Sequence, residues 1–169
     1  MTRSASLPAD PVAAEQPAGR DVRVMLVDDS LVVRSILERI VDQTSGLMVC
    51  ASVASAHDAL GFLARVIVLD IEMPGMNGID ALPHILERAA NARVLILSSN
   101  CVEGGPAAIE ALALGASDTL AKPGRGSFSG RFAEILTDRI LSLGQREAVP
   151  PAARIAFRPP APPAPVAID

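Results

Sequence analysis

Four short apolar runs in this sequence each end in residues suited to acid, metal or phosphate chemistry. Val22–Val27 runs into Asp28-Asp29, Val66–Leu69 into Asp70, Val94–Leu97 into Ser98-Ser99, and Thr119–Ala121 into Lys122-Pro123. Three carboxylates brought together cannot all ionise cheaply, because each like charge raises its neighbours' pKa. A hard divalent cation removes that conflict, and Mg²⁺ is satisfied by one or two carboxylates, a carbonyl and waters. A carboxylate left facing the metal can attack phosphorus and form an aspartyl phosphate. Ser98 would then hydrogen-bond a phosphoryl oxygen, and Lys122 would supply a compact positive charge to another. Lys122 is the only lysine in the chain, against fourteen arginines. Taken singly, each residue has a plainer reading. Asp70 is a turn carboxylate, Asp28 or Asp29 a helix N-cap, Ser98 a turn former and Lys122 a solvated loop cation. The set is specific; its members are not.

These groups come from separate segments, so the fold must gather them. A fifth apolar run, Leu47–Val53, completes the candidate strands, and helical periodicity fills the gaps between them. Val33, Ile36, Leu37, Ile40 and Val41 form the first stripe, with Asp29 or Ser30 placed to cap its start. Ala56, Ala59, Leu60 and Leu63 form the second, and Ile79, Leu82, Ile85, Leu86 and Ala89 the third, which Pro83 should kink or delay. The fourth fits Pro106 to Leu114, with Gly115 as its stop. The fifth carries Phe128, Phe132, Ile135, Leu136, Ile140 and Leu143. Five strands alternating with five helices imply right-handed crossovers and an α/β doubly wound parallel sheet with helices on both faces. In such sheets the ligand site lies beyond the C-terminal ends of the strands, where the strand order reverses.

Composition bounds the rest. The chain has 169 residues, 50% apolar and 2% aromatic, with a formal net charge of −4. That length suits one domain with loose ends, and its core must be aliphatic. The acidic balance excludes nucleic acid as a main partner, for want of a basic stripe. No run approaches a membrane span, which excludes membrane insertion, and the N-terminus lacks a secretory h-region, so a cytoplasmic protein is expected. Cys50 and Cys101 form no CxxC pair and read as buried apolar thiols. Three of the fourteen prolines lie in residues 1–20 and seven more from Pro150 to Pro165. Hence residues 1–20 are expected to be a disordered extension, 21–145 the domain, and 146–169 a Pro/Ala-rich linker. Gly124–Gly130 fits neither GxGxxG nor GxSxG and reads as a loop; His57 and His84 read as surface residues.

The runs VMLVDDSLVVR, VIVLDIEMPGMNGIDAL, LILSSN and LGASDTLAKP resemble the receiver domain of bacterial two-component response regulators. The arrangement from Ser98 through Glu103-Gly104-Gly105 to Lys122-Pro123 is similar to the regulatory half of the chemotaxis protein-glutamate methylesterase (CheB) family. The resemblance covers about residues 22–143 and implies a flavodoxin-like fold with strand order 2-1-3-4-5. It implies that Asp70 is the phosphoacceptor and that Asp28, Asp29 and Asp70, with the backbone carbonyl of Glu72, hold Mg²⁺. It makes Ser98 the switch hydroxyl and Lys122 the phosphate-sensing lysine, with a cis bond before Pro123. Thr119 stands where receivers usually carry a switch aromatic, so no ring is available to swing inward. The implied partners are a chemotaxis-type histidine kinase and a C-terminal methylesterase domain or other output protein. Ala164–Ile168 resembles the entry to that missing domain's first strand, so no Ser-His-Asp esterase site is expected within this chain. The alternative is a stand-alone receiver acting as a phosphate sink or kinase modulator. A transcription factor is least favoured, since no helix-turn-helix or basic segment follows.

One joint is unusually short. Only Ala64 and Arg65 separate the second stripe from Val66, whereas an αβ reversal normally takes about 2–6 residues. Unwinding of the last turn of helix two is expected, in preference to helix displacement or exchange with a second copy.

Overall fold

A computed structural model describes residues 21–146, apart from 62–63, 90, 100–104 and 125–127. The expectations for residues 1–20 and 147–169, and for Leu63, Cys101, Glu103 and Gly104, lie outside the described residues. The chain alternates β1 (Val22–Val27), α1 (Leu31–Asp42), β2 (Leu47–Val53), α2 (Ala56–Ala59), β3 (Val66–Asp70), α3 (Gly78–Arg88), β4 (Arg93–Ser98), α4 (Pro106–Ala113), β5 (Asp118–Ala121) and α5 (Gly130–Gln145). The strands form one sheet in the order β2-β1-β3-β4-β5, and every pairing is parallel. This is the flavodoxin-like order expected from the sequence.

The alternation of side chains along the central strands divides the core in two. Met25, Val27, Ile67, Leu69, Val94 and Ile96 face α2, α3 and α4 through Ala59, Leu82, Ile85 and Ala111. Val24, Leu26, Val66, Val68, Leu95 and Leu97 face α1 and α5 through Leu37, Val41, Leu136 and Ile140. Every residue of β3 is buried, Asp70 included. Burying each of its aliphatic side chains stabilises the fold by roughly 1.5–3 kcal/mol, so the strand is firmly anchored beneath its terminal carboxylate.

Of the two caps the sequence offers for α1, Ser30 serves, its hydroxyl accepting from the Val33 N–H. Several other local expectations are corrected. The helix α3 runs through Pro83 without interruption of its range. Phe128 precedes α5 and packs edge-on against Phe132, with ring centroids 5.4 Å apart. Cys50 is half-buried rather than enclosed, because β2 is an edge strand and steps in register between Val24 and Met25. Among the described residues no peptide bond is cis, so the bond before Pro123 is trans. The two isomers of such a bond differ by only about 0.5–1 kcal/mol in intrinsic preference.

Helix α2 is a single turn. Its helical range stops at Ala59, with Leu60 as C-cap. Arg65 fastens that joint. Its N–H donates to the Arg23 carbonyl and its own carbonyl accepts from the Arg93 N–H. Its guanidinium donates to the carbonyls of Gly144 (3.0 Å), Asn91 (3.4 Å) and Arg146. The joint is thus tied to the C-terminus of α5, where exposed helix carbonyls favour a cation.

Candidate functional site

Strand register brings the four chemical positions to one level. Val27 lies opposite Leu69, Asp70 opposite Leu97, and Ser98 opposite Ala121. Asp28, Asp70, Ser98 and Lys122 therefore all stand at the C-terminal edge, where β1 has neighbours on both sides and the winding reverses. Backbone bonds from Ile71 N–H to the Leu97 carbonyl (3.3 Å) and from Lys122 N–H to the Ser98 carbonyl (2.9 Å) continue the ladder into the site.

One carboxylate oxygen from each of Asp28, Asp29 and Asp70 lies within 4.8 Å of the other two. Asp28 and Asp70 are buried, at 1% and 2% exposure, and Asp29 faces solvent. Lys122 Nζ sits 2.6 Å from Asp28 Oδ2 and 2.9 Å from Asp70 Oδ2. The Asp28 contact is a close ion pair, and that buried oxygen has no hydrogen bond besides it among the described residues. The other oxygens are oriented by backbone: Ser30 N–H donates to Asp28 Oδ1 at 2.8 Å, and Glu72 N–H to Asp70 Oδ1 at 3.2 Å. Arg34 Nη1 donates to the Asp28 carbonyl at 2.6 Å.

The electrostatics follow from this crowding. Burial first, and the Asp28 charge second, lift Asp70 above the usual carboxylate value, although Lys122 and the Glu72 amide pull it down. Burial alone would lower Lys122, but its bonds to Asp28 and Asp70 outweigh that and raise it. One ammonium against three carboxylates leaves two formal negative charges uncompensated. Oxygen donors, two buried carboxylates that share one ammonium and an open side at Asp29 together fit a hard divalent cation that keeps some of its waters. Asp70 then has the requirements of a nucleophile: a fixed oxygen, a neighbouring cation and dry surroundings.

Each site residue read from the sequence lies here. Ser98 is buried at the end of β4, and Glu72 is in the loop leaving β3. The Glu72 side chain reaches across to accept from the Ser99 N–H at 3.2 Å. Thr119 is buried with its N–H bonded to Asp118 Oδ1, and Arg139 secures that corner by donating to Asp118 Oδ1 and the Thr119 carbonyl. His57 and His84 are exposed on α2 and α3. A cavity lined by Ser117, Asp118, Arg139 and Arg146 belongs to the opposite end of β5.

Two residues escaped sequence reading. Gly78 starts α3 directly against Asp70, and a Cβ there would lie 2.2 Å from the Asp70 carbonyl oxygen. No larger residue fits without moving the backbone beneath the carboxylate. Its position after Asn77, which caps α3, carried only a turn signal. Arg34 is one arginine among fourteen, and no spacing rule links it to the Asp28 carbonyl.

Comparison with known proteins agrees with this geometry. Residues 24–127 match the response regulator receiver domain family. A protein-glutamate methylesterase/protein-glutamine glutaminase of Paramagnetospirillum magneticum is 38% identical over 141 residues, covering 79% of this chain and 37% of that protein. A counterpart in Treponema denticola is 39% identical over 136 residues, covering 76% and 36%. The chain thus spans a little over a third of the length of these relatives. Among solved structures, the response regulator domain of Thermotoga maritima CheB superposes with a TM-score of 0.69 at 36% identity, covering 76% of this chain and 99% of that one. The CheX-CheY-BeF3-Mg²⁺ complex of Borrelia burgdorferi gives 0.62 at 26% identity, covering 74% and 90%. With the five-stranded order, the strand-end cluster and the match over residues 24–127 in agreement, this chain belongs to the response regulator receiver domain family.

Proposed function

We propose that this domain is a phosphorylation-operated switch in which Asp70 takes a phosphoryl group from a histidine kinase of a chemotaxis system, with Mg²⁺ bound by Asp28, Asp29, Asp70 and the Glu72 carbonyl. The observation that carries this reading is the buried Asp70 carboxylate, set against the Lys122 ammonium and within 4.8 Å of two further carboxylates. An Asp70 oxygen attacks phosphorus, the bond to the donor's imidazole nitrogen breaks, and that nitrogen keeps the electron pair. Held by these residues, Mg²⁺ would neutralise the negative charge that otherwise opposes the approach of a phosphoryl group. Lys122, on its flexible stem, exchanges its contact with Asp70 for a phosphoryl oxygen, and the Ser98 hydroxyl donates to another.

The output is an attached or partner protein whose chemistry is hydrolysis of chemoreceptor methyl esters and amides. Support comes from the relatives named as methylesterase/glutaminase and from likeness to the CheB response regulator domain. The proposed site of action is cytoplasmic; no helix among the described residues is long and apolar enough to cross a membrane. Treatment with a small-molecule phosphodonor and Mg²⁺ is expected to add one phosphoryl mass to the intact protein and none to Asp70→Asn. Equal labelling of the variant would contradict the assignment.

A further inference from the structure

Asp28 is held at four points. Its N–H donates to the Val53 carbonyl at 3.2 Å, Oδ1 accepts from Ser30 N–H at 2.8 Å, and Oδ2 faces Lys122 Nζ at 2.6 Å. The fourth is its carbonyl, which accepts from Arg34 Nη1 at 2.6 Å. Arg34 is itself fixed in the first turn of α1, where its N–H donates to the Ser30 carbonyl at 3.0 Å, and it is only partly exposed. The carbonyl it holds belongs to the peptide joining Asp28 to Asp29. Holding that oxygen fixes the peptide plane from which Asp29 departs, and Asp29 is the exposed member of the carboxylate cluster.

A guanidinium beside an acidic cluster has two opposed effects on a divalent cation. Its charge repels the cation, while its grip on the backbone keeps the donors in place. Here the hydrogen bond goes to a neutral carbonyl, so the guanidinium does not take a carboxylate oxygen from the cation. We propose that Arg34 is a positioning residue for the divalent cation, orienting the Asp28–Asp29 peptide so that all three carboxylates converge, and thereby raising cation affinity in spite of its own charge. This rests on the cation-binding reading of the site given above.

The opposed effects make the sign of one measurement decisive. With no Trp or Tyr in the chain, Mg²⁺ affinity is best read by calorimetric titration and by the rise in Tm on adding Mg²⁺. Arg34→Met keeps the apolar stem and drops the donors. It is expected to bind Mg²⁺ at least about fivefold more weakly than wild type, with Arg34→Lys, a single-point donor, in between. Val41→Ala loosens α1 away from the site and is expected to keep wild-type affinity. Arg34→Met binding as tightly as wild type or tighter would overturn the proposal, as would an equal loss in Val41→Ala. Should Arg34→Met not fold, Arg34→Lys decides alone: weaker binding upholds the proposal and unchanged binding overturns it. Absence of any Mg²⁺ response in the wild type would overturn both this proposal and the cation site itself.

Discussion

The two ends of this sheet solve the same problem in different ways. At the end where the strands begin, Arg65 bridges the short joint, the α3–β4 turn and the last turn of α5, and every partner of its guanidinium is a carbonyl. At the end where the strands finish, two buried carboxylates meet a single ammonium, with the exposed Asp29 carboxylate beside them. At the first end a cation meets neutral carbonyls, those of the last turn of α5 among them, which favours both. The second is unbalanced, with two buried carboxylates sharing one ammonium and an Asp70 carboxyl driven upward by burial and by Asp28. Groups crowded against their own electrostatics mark a working site, and groups satisfied within the chain mark a structural one.

Removing Lys122 should break the contrast most severely. In Lys122→Met, Asp28 and Asp70 would face each other without compensation, a loss of about 3–5 kcal/mol at neutral pH. The sign with pH follows from the wild-type shifts. Lys122 is raised above its usual value, so its contribution is present below pH 10.5 and lost as pH rises through its folded value. Urea denaturation should therefore show the variant's deficit shrinking in alkali. It should shrink in acid too, as Asp70 protonates. A deficit constant across pH would mean that the ammonium contributes packing alone.

Arg65→Ala tests the opposite end. Freeing three carbonyls that water can partly reach should cost about 2 kcal/mol. Hydrogen exchange should rise in the last turn of α5 and around Asn91, with no change in phosphoryl acquisition at Asp70. Loss of labelling in this variant would show that the two ends are not separable.

The smallest effect should have the reverse sign. Asp70 is raised in the folded state, so its ionised form is less favourable there than in the unfolded chain, and stability falls as pH rises through its folded value. Asp70→Asn should consequently raise Tm at neutral pH in the absence of Mg²⁺. The gain should fade as the pH is lowered toward the ordinary carboxylate range. A lower Tm at pH 7 would indicate that the Lys122 pairing outweighs burial.

The strands were legible because β1, β3 and β4 are apolar on both faces, as central parallel strands must be. Their terminal polar residues were legible as a set because topology places all C-terminal ends together. The two residues available before Val66 called for loss of the last turn of helix two, but not for a helix as short as Ala56–Ala59. What was hidden depends on contacts across the folded chain. Arg65 meets Gly144 from 79 positions away, Gly78 owes its identity to the Asp70 backbone, and Arg34 serves a carbonyl that any arginine could have served. The half-buried Cys50 and the helix-external Phe128 were misjudged because edge position and helix starts depend on neighbours that periodicity does not reveal.

The most direct test of the central claim is the location of the phosphoryl group. After reaction with a phosphodonor and Mg²⁺, borohydride reduction converts an aspartyl phosphate to homoserine, which peptide mass mapping then places. The expected result is modification at Asp70 alone, dependent on Mg²⁺ and lost when the cation is chelated. Modification at Asp28 or Asp29, or labelling indifferent to Mg²⁺, would contradict the assignment of nucleophile and cation ligands within the cluster.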